Sequence, residues 1–197
     1  MKDWRSIVYK DGKISKKFVV GSSVAALGLG GILYWALSGD DDGGDRLWPV
    51  VPNRGIINAF GANRVTNGRQ RIHIGTDVGA FPGDKVVAIT DGEVIGRLGG
   101  YELGAGLGAV SIRHPDADYI YAEIDVDPSM TPGKKVKAGD LVGVVRKNAD
   151  GTSMLHLEAW ETGTVPKAFY AWWRDEPRPK GILSSTEILK TLPSKKA

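Results

Sequence analysis

The chain has 197 residues, with 26 lysines and arginines against 23 aspartates and glutamates, and no cysteine. That length supports one domain with a real core plus an additional segment, and the absence of cysteine excludes disulfides and thiolate-bound zinc, leaving histidine and carboxylate as possible metal ligands. The net charge of +3 comes without a basic stripe in the folded region, so nothing points to nucleic acid as a partner.

Residues 1–17 read as a basic tail, in which Lys10, Lys13, Lys16 and Lys17 precede an uncharged run from Phe18 to Leu37 rich in Val, Ala, Leu and Gly. As a helix rising about 1.5 Å per residue this run spans roughly 30 Å, the thickness of a bilayer core, and is expected to cross a membrane once. Asp40, Asp41, Asp42 and Asp45 follow it. This asymmetry puts the N-terminus in the cytoplasm and the rest of the chain on the periplasmic or extracellular side. A signal peptide cleaved near Ala36-Leu37-Ser38 is the competing reading, and the length of the run favours an uncleaved anchor. Residues 38–46 read as an acidic, glycine-rich tether with nothing to bury. A domain over 47–164 and an extension over 165–197 are expected to follow.

Arg71-Ile72-His73-Ile74-Gly75-Thr76-Asp77 reads as a strand, where side chains two or four apart share a face, so His73 and Asp77 project together. From Val86 onward, short apolar strands at 86–89, 93–98, 109–113, 119–124, 141–146 and 154–160 alternate with turn residues such as Pro82-Gly83-Asp84, Asp91-Gly92 and Pro132-Gly133. This is the pattern of a mainly β domain. The glycine-rich stretch Gly99–Gly108 joins two strands and lacks the helix and the Lys-Ser/Thr ending that phosphate binding requires. Val136–Gly143 has the turn and strand of a lipoyl- or biotinyl-carrier domain, but no lysine stands at a matching hairpin tip. Trp172 and Trp173 are expected to pack against the sheet. Ser184-Ser185-Thr186-Glu187 has the form of a capping box opening a short C-terminal helix through Leu192, stopped by Pro193.

In the last of these strands Met154, His156 and Glu158 share one face, and Leu155, Leu157 and Ala159 form the opposite, apolar one. His73, Asp77 and His156 together make a three-ligand set suited to Zn²⁺ with a fourth position open, the arrangement of a catalytic rather than a structural zinc. On spacing alone, H-x-x-x-D describes a solvated strand face as readily as a ligand pair.

The ordered set His73-Ile74-Gly75-Thr76-Asp77, Asp91-Gly92-Glu93-Val94, Ile112-Arg113-His114, Tyr121-Ala122, Val136 to Gly143 and His156-Leu157-Glu158 resembles the lysostaphin/LytM-type zinc metallopeptidases, which cut peptide cross-links in peptidoglycan. The resemblance runs from Phe60 to Trp160, about half the chain. It implies a LytM-like antiparallel β-sheet domain, Zn²⁺ held by His73, Asp77 and His156, a peptidoglycan peptide as substrate, and a loop over 99–108 walling a narrow cleft. The family also uses two further histidines, and the positions that match them are Glu123 and Met154. A methionine neither donates a hydrogen bond to an oxyanion nor shuttles a proton.

A carboxylate beside the metal is how other metallopeptidases provide a general base, so Glu123 is chemically able to replace one of the missing histidines. Strand alternation puts Tyr119, Tyr121 and Glu123 on one face, from which Glu123 can reach the metal; a surface glutamate is the competing reading. Glu158 is placed to orient His156 from behind, or to support a neighbouring loop. His114, at a strand end before Pro115, reads as structural. The first functional expectation is thus a membrane-tethered zinc endopeptidase of bacterial or phage origin. The second is a catalytically impaired wall-binding, regulatory or virion structural module of the same fold. The sequence sets no oligomeric state.

Overall fold

The computed structural model describes residues 46–99, 107–148 and 151–193. The tail, the expected membrane span and the tether up to residue 45, together with most of the 99–108 loop, lie outside the described residues. Within the described residues no helix is long and apolar enough to cross a membrane.

The described chain is built from fourteen strands and one short helix: β1 Val50–Val51, β2 Ile56–Asn58, β3 Asn63–Thr66, β4 Arg69–Ile72, β5 Thr76–Gly79, β6 Lys85–Val87, β7 Gly92–Leu98, β8 Gly108–Arg113, β9 Asp118–Val126, β10 Lys135–Val136, β11 Leu141–Val145, β12 Met154–Trp160, β13 Trp172–Trp173, β14 Ile182–Leu183 and α1 Ser185–Lys190. Eleven strands form one sheet, with the order β1-β6-β11-β9-β12-β5-β2 and with β8, β7, β10 and β14 branching from it. The remaining three make a small sheet in the order β13-β4-β3. All the ladders that join these strands are antiparallel.

Alternation along the two central strands gives the large sheet two different faces. Tyr119 and Tyr121 of β9, with Leu155, Leu157 and Ala159 of β12, enter one core cluster alongside Val78, Val110 and Ile112. Ile120 and Ala122, on the other side of β9, join Ile74, Ala109, Trp160 and Ile182 in a second cluster. The hydrophobic set is therefore split by the sheet, and His156 and Glu158 lie on the second side.

Two sequence expectations need correction. The run from Arg71 to Asp77 is not one strand: β4 stops at Ile72 in the small sheet, β5 starts at Thr76 in the large one, and His73-Ile74-Gly75 bridges them. The alternation expected for Glu123 also fails. Tyr119 and Tyr121 face the first core, whereas Glu123 has φ 64° and sits at an irregularity where Gly108 pairs Ile124 and Ala109 pairs Ala122. This is a β-bulge, with one extra residue on β9, and it lifts Glu123 out of the core side that strict alternation would have given it.

The C-terminal residues complete the same core. β14 pairs with β12, and Leu189 and Leu192 are buried in the first cluster. Ser184 caps α1 by accepting from the Glu187 N–H at 3.3 Å, while the Glu187 carboxylate pairs with Lys190 instead of returning to the cap. The helix ends at Lys190, two residues short of the expected Leu192.

Candidate metal centre

Three side chains from three places in the chain converge on the second face of the sheet. His73 comes from the bridge after β4, Asp77 from β5 and His156 from β12, where Asp77 and His156 are direct cross-strand partners. His73 Nε2, Asp77 Oδ1 and His156 Nδ1 form a near-equilateral triangle with sides of 3.2, 3.0 and 3.1 Å. All three residues are buried, at 2%, 1% and 5% exposure.

The orientation of each ring is fixed from behind. His73 Nδ1–H donates to the Ala59 carbonyl at 2.9 Å, which leaves the Nε2 lone pair facing the triangle. His156 is held by the opposite nitrogen: its Nε2–H donates to Glu158 Oε1 at 3.2 Å, and Glu158 Oε2 accepts in turn from the Trp160 indole at 2.8 Å. Asp77 Oδ2 accepts from Arg64 Nη2, so Oδ1 is the oxygen turned inward. Gly75 makes room for this packing, because a Cβ there would stand 2.7 Å from both the His156 ring and the Leu157 carbonyl.

The electrostatics of the cluster favours positive charge at its centre. Burial alone would push the His156 imidazole down, but the Asp77 and Glu158 carboxylates outweigh it and hold the ring protonated, its pKa pushed up to about 10. Burial likewise opposes ionisation of Asp77, yet hydrogen bonds from His156 and His73 keep its carboxyl well below the usual carboxylate range. The same negative surroundings that favour a proton on His156 favour a dication at the centre of the triangle. A tetrahedral ion with bonds of about 2.0–2.1 Å spaces its ligand atoms about 3.3–3.4 Å apart, within a few tenths of an ångström of the triangle observed. Two imidazoles and one carboxylate, each backed by an outer hydrogen bond, therefore fit Zn²⁺.

Glu123 and Met154, also singled out in the sequence, stand on the two central strands, β9 and β12. Glu123 is half-buried, and Asn148 Nδ2 donates to its Oε2 at 3.4 Å. Burial raises its pKa, the positive charge of His156 lowers it, and the nearby Asp77 raises it again. Met154 is on β12 two residues before His156, paired with Gly79. His114 is elsewhere, packed against Tyr119 and Tyr121.

Sequence reasoning passed over Arg64, Arg71 and Gly75. The signal for the two arginines was the Asn67-Gly68 pair, whose φ angles of 51° and 77° make a two-residue hairpin turn. That turn sets Arg64 directly opposite Arg71 across β3 and β4. Burial and the Arg64 charge push the Arg71 guanidinium down from its ordinary value, with Asp77 and Glu123 acting in the other direction.

Residues 71–167 match Peptidase family M23. No curated protein matches the chain. Among solved structures, SpoIIQ in the SpoIIQ–SpoIIIAH pore-forming complex is similar over 77% of this chain and 93% of that one, with TM-score 0.56 and 19% identity. LytU is similar over 72% and 88%, with TM-score 0.53 and 21% identity. The catalytic domain of the antimicrobial peptidase lysostaphin from Staphylococcus simulans is similar over 69% and 92%, with TM-score 0.50 and 18% identity. These likenesses are of fold. Against Helicobacter pylori Csd3, by contrast, the chain spans 32% of that protein's length.

Proposed function

Because residues 71–167 match Peptidase family M23, we propose that the chain is a zinc metallo-endopeptidase hydrolysing peptide cross-links of peptidoglycan, anchored in a membrane by residues 18–37 with the N-terminus in the cytoplasm. The observation that carries this reading is the triangle of His73 Nε2, Asp77 Oδ1 and His156 Nδ1, with each imidazole tied down through its other nitrogen. The apolar run flanked by lysines before and aspartates after supports the anchor.

The chemistry a zinc ion supplies in such a site is Lewis-acid polarisation of the scissile carbonyl and activation of water near neutral pH. His73 Nε2 and, once its proton is displaced, His156 Nδ1 present their lone pairs without the rings needing to rotate, and Asp77 adds the negative charge that favours a dication. Glu123, brought out by the bulge and raised in pKa by burial, takes the proton of the attacking water and returns it to the leaving amine. Met154 contributes no donor for the oxyanion, so this function is left to other groups.

The second reading is a module of the same fold that does not cleave, and Met154 is the observation that favours it. The fold likeness to SpoIIQ, whose structure is that of the SpoIIQ–SpoIIIAH pore-forming complex, supports a protein-interaction role under that reading.

Digestion of purified peptidoglycan by the full-length, zinc-loaded protein in detergent separates the two. The peptidase reading expects cross-link fragments by mass spectrometry, and expects Glu123→Gln to lower their release by at least about 10²-fold while zinc affinity stays nearly unchanged. Zinc binding without any fragment release makes the non-cleaving module the better reading.

A further inference from the structure

The small sheet beside the metal centre carries three arginines on one face. Arg64 and Thr66 of β3 stand opposite Arg71 and Arg69 of β4, respectively, and direct cross-strand partners share a face. Two like charges directly opposite each other are unfavourable unless anions balance them. Arg64 has Asp77, and Arg69 has Asp175 and Glu176 while lying 4.2 Å over the Trp173 ring.

Arg71 is the exception. Among the described residues its hydrogen bond is from Nε to the Thr66 hydroxyl at 2.9 Å, and no carboxylate pairs with its guanidinium. The nearby Glu123 carboxylate takes its hydrogen bond from Asn148 instead. Arg71 is half-buried, so a ligand can reach it, and it precedes the metal-cluster residue His73 by two positions. Arg64 Nη2 stands 3.4 Å from His73 Nε2, which ties the paired arginines to the edge of the cluster. Arg64 Nε is also buried without a hydrogen-bond partner. A forked donor left unmatched beside a second cation, at the rim of a hydrolytic site, has the chemistry of a carboxylate receptor.

We propose that Arg71 determines specificity, binding a free carboxylate of the substrate next to the scissile bond, so that the site selects anionic stem peptides over their amidated forms. This rests on the peptidase reading of the same site and names the substrate class it takes. Arg64 supports the assignment by holding Asp77 and adding to the positive potential, without being free for the ligand itself.

Binding, rather than turnover, tests it. Three stem peptides of identical sequence are titrated calorimetrically into the full-length protein, both zinc-free and zinc-loaded. One keeps a free C-terminal carboxylate, one keeps a free carboxylate at the glutamyl branch, and one is amidated at both places. At least one acid form should bind about 10–100-fold more tightly than the diamide, and which one does so identifies the carboxylate recognised. Arg71→Gln should remove the preference, Arg71→Lys should restore part of it, and zinc affinity measured by chelator competition should stay within about threefold in both, as expected of a residue outside the metal's ligand set. Equal binding of all three peptides by the unmodified protein overturns the proposal without need of a variant, and so does an undiminished preference in Arg71→Gln. A protein that shows the preference but releases no fragments supports the role of Arg71 and removes the peptidase reading instead.

Discussion

Two buried histidines, one packed against each face of the same sheet, meet opposite fates. His114 is 2% exposed and His156 is 5% exposed, so burial does not distinguish them. What differs is the neighbours. His114 Nδ1–H donates to the Asp91 carbonyl at 3.0 Å, and its Nε2 accepts from the Tyr121 hydroxyl at 3.1 Å, which itself accepts from the Ile89 N–H. Its hydrogen-bond partners are neutral and burial lowers the pKa, while the Asp116 and Arg46 charges act on it in opposite directions. His156 has carboxylates at both nitrogens and its pKa is pushed up to about 10. A satisfied structural histidine hydrogen-bonds to dipoles, whereas one placed to hold a metal hydrogen-bonds to carboxylates.

The sharpest way to break this contrast is to remove each ring in turn and measure zinc. His156→Ala deletes one corner of the triangle and should weaken zinc binding by more than about 10²-fold, beyond the 10–100-fold typical of losing an outer partner. His114→Gln should leave zinc affinity in the folded protein unchanged, since no donor atom of the triangle touches it. Competition with a chelator of known affinity measures both. Equal losses from the two substitutions would mean that the faces are not independent.

A smaller effect sharpens the same comparison. Glu158 is buried, accepts from the His156 Nε2–H and is anchored by the Trp160 indole. Glu158→Gln keeps the shape but removes the negative charge that makes the imidazole a better ligand. Zinc affinity should fall by about 10–100-fold. An unchanged affinity would assign Glu158 to packing alone.

Much of this was legible in the sequence, for reasons that differ from residue to residue. The strand β12 was read at 154–160 because polar His156 and Glu158 alternate with apolar Leu155, Leu157 and Ala159 along its middle. The side of the sheet taken by His156 followed from the same alternation. The failures come where period two breaks. His73 and Asp77 do come together, but across a bridge between two sheets, and nothing in the spacing of His73 and Asp77 distinguishes a bent path from a straight one. Glu123 was assigned to the face of Tyr119 and Tyr121, and a bulge with φ 64° moved it, a conformation that a glutamate gives no sign of adopting. The hairpin carrying Arg64 and Arg71 was signalled by Asn67-Gly68, but Val65 and Ile72 are the only apolar residues of its two strands, too few to make a hydrophobic pattern. The roles of the Ala59 carbonyl and of Gly75 belong to tertiary packing and have no local signature.

The smallest effect concerns the structural histidine and the pH dependence it brings. Burial lowers the folded-state pKa of His114 below its ordinary 6.5, so the folded protein resists a proton that the unfolded chain accepts freely. Stability from this group is present above about pH 6.5 and is lost as pH falls from there through the folded-state value, with a slope of at most about 1.4 kcal/mol per pH unit for one proton. His156 acts in the opposite sense above about pH 6.5, where the unfolded ring loses its proton and the folded ring keeps it, and this contribution is common to both proteins compared. Its raised pKa keeps it protonated in the metal-free fold, and below about pH 6.5 the unfolded ring is protonated as well. Chemical denaturation of the metal-free protein between about pH 7.5 and 5.5 should therefore show the unmodified chain losing on the order of 1 kcal/mol more than His114→Gln over the same range. The comparison of slopes is what matters, because the substitution also removes hydrogen bonds to Asp91 and Tyr121 and lowers stability at every pH. Parallel curves for the two proteins would show that His114 takes up its proton without unfolding, and that the neutral face of the sheet tolerates a charge that the geometry of the Tyr121 and Asp91 partners argues against.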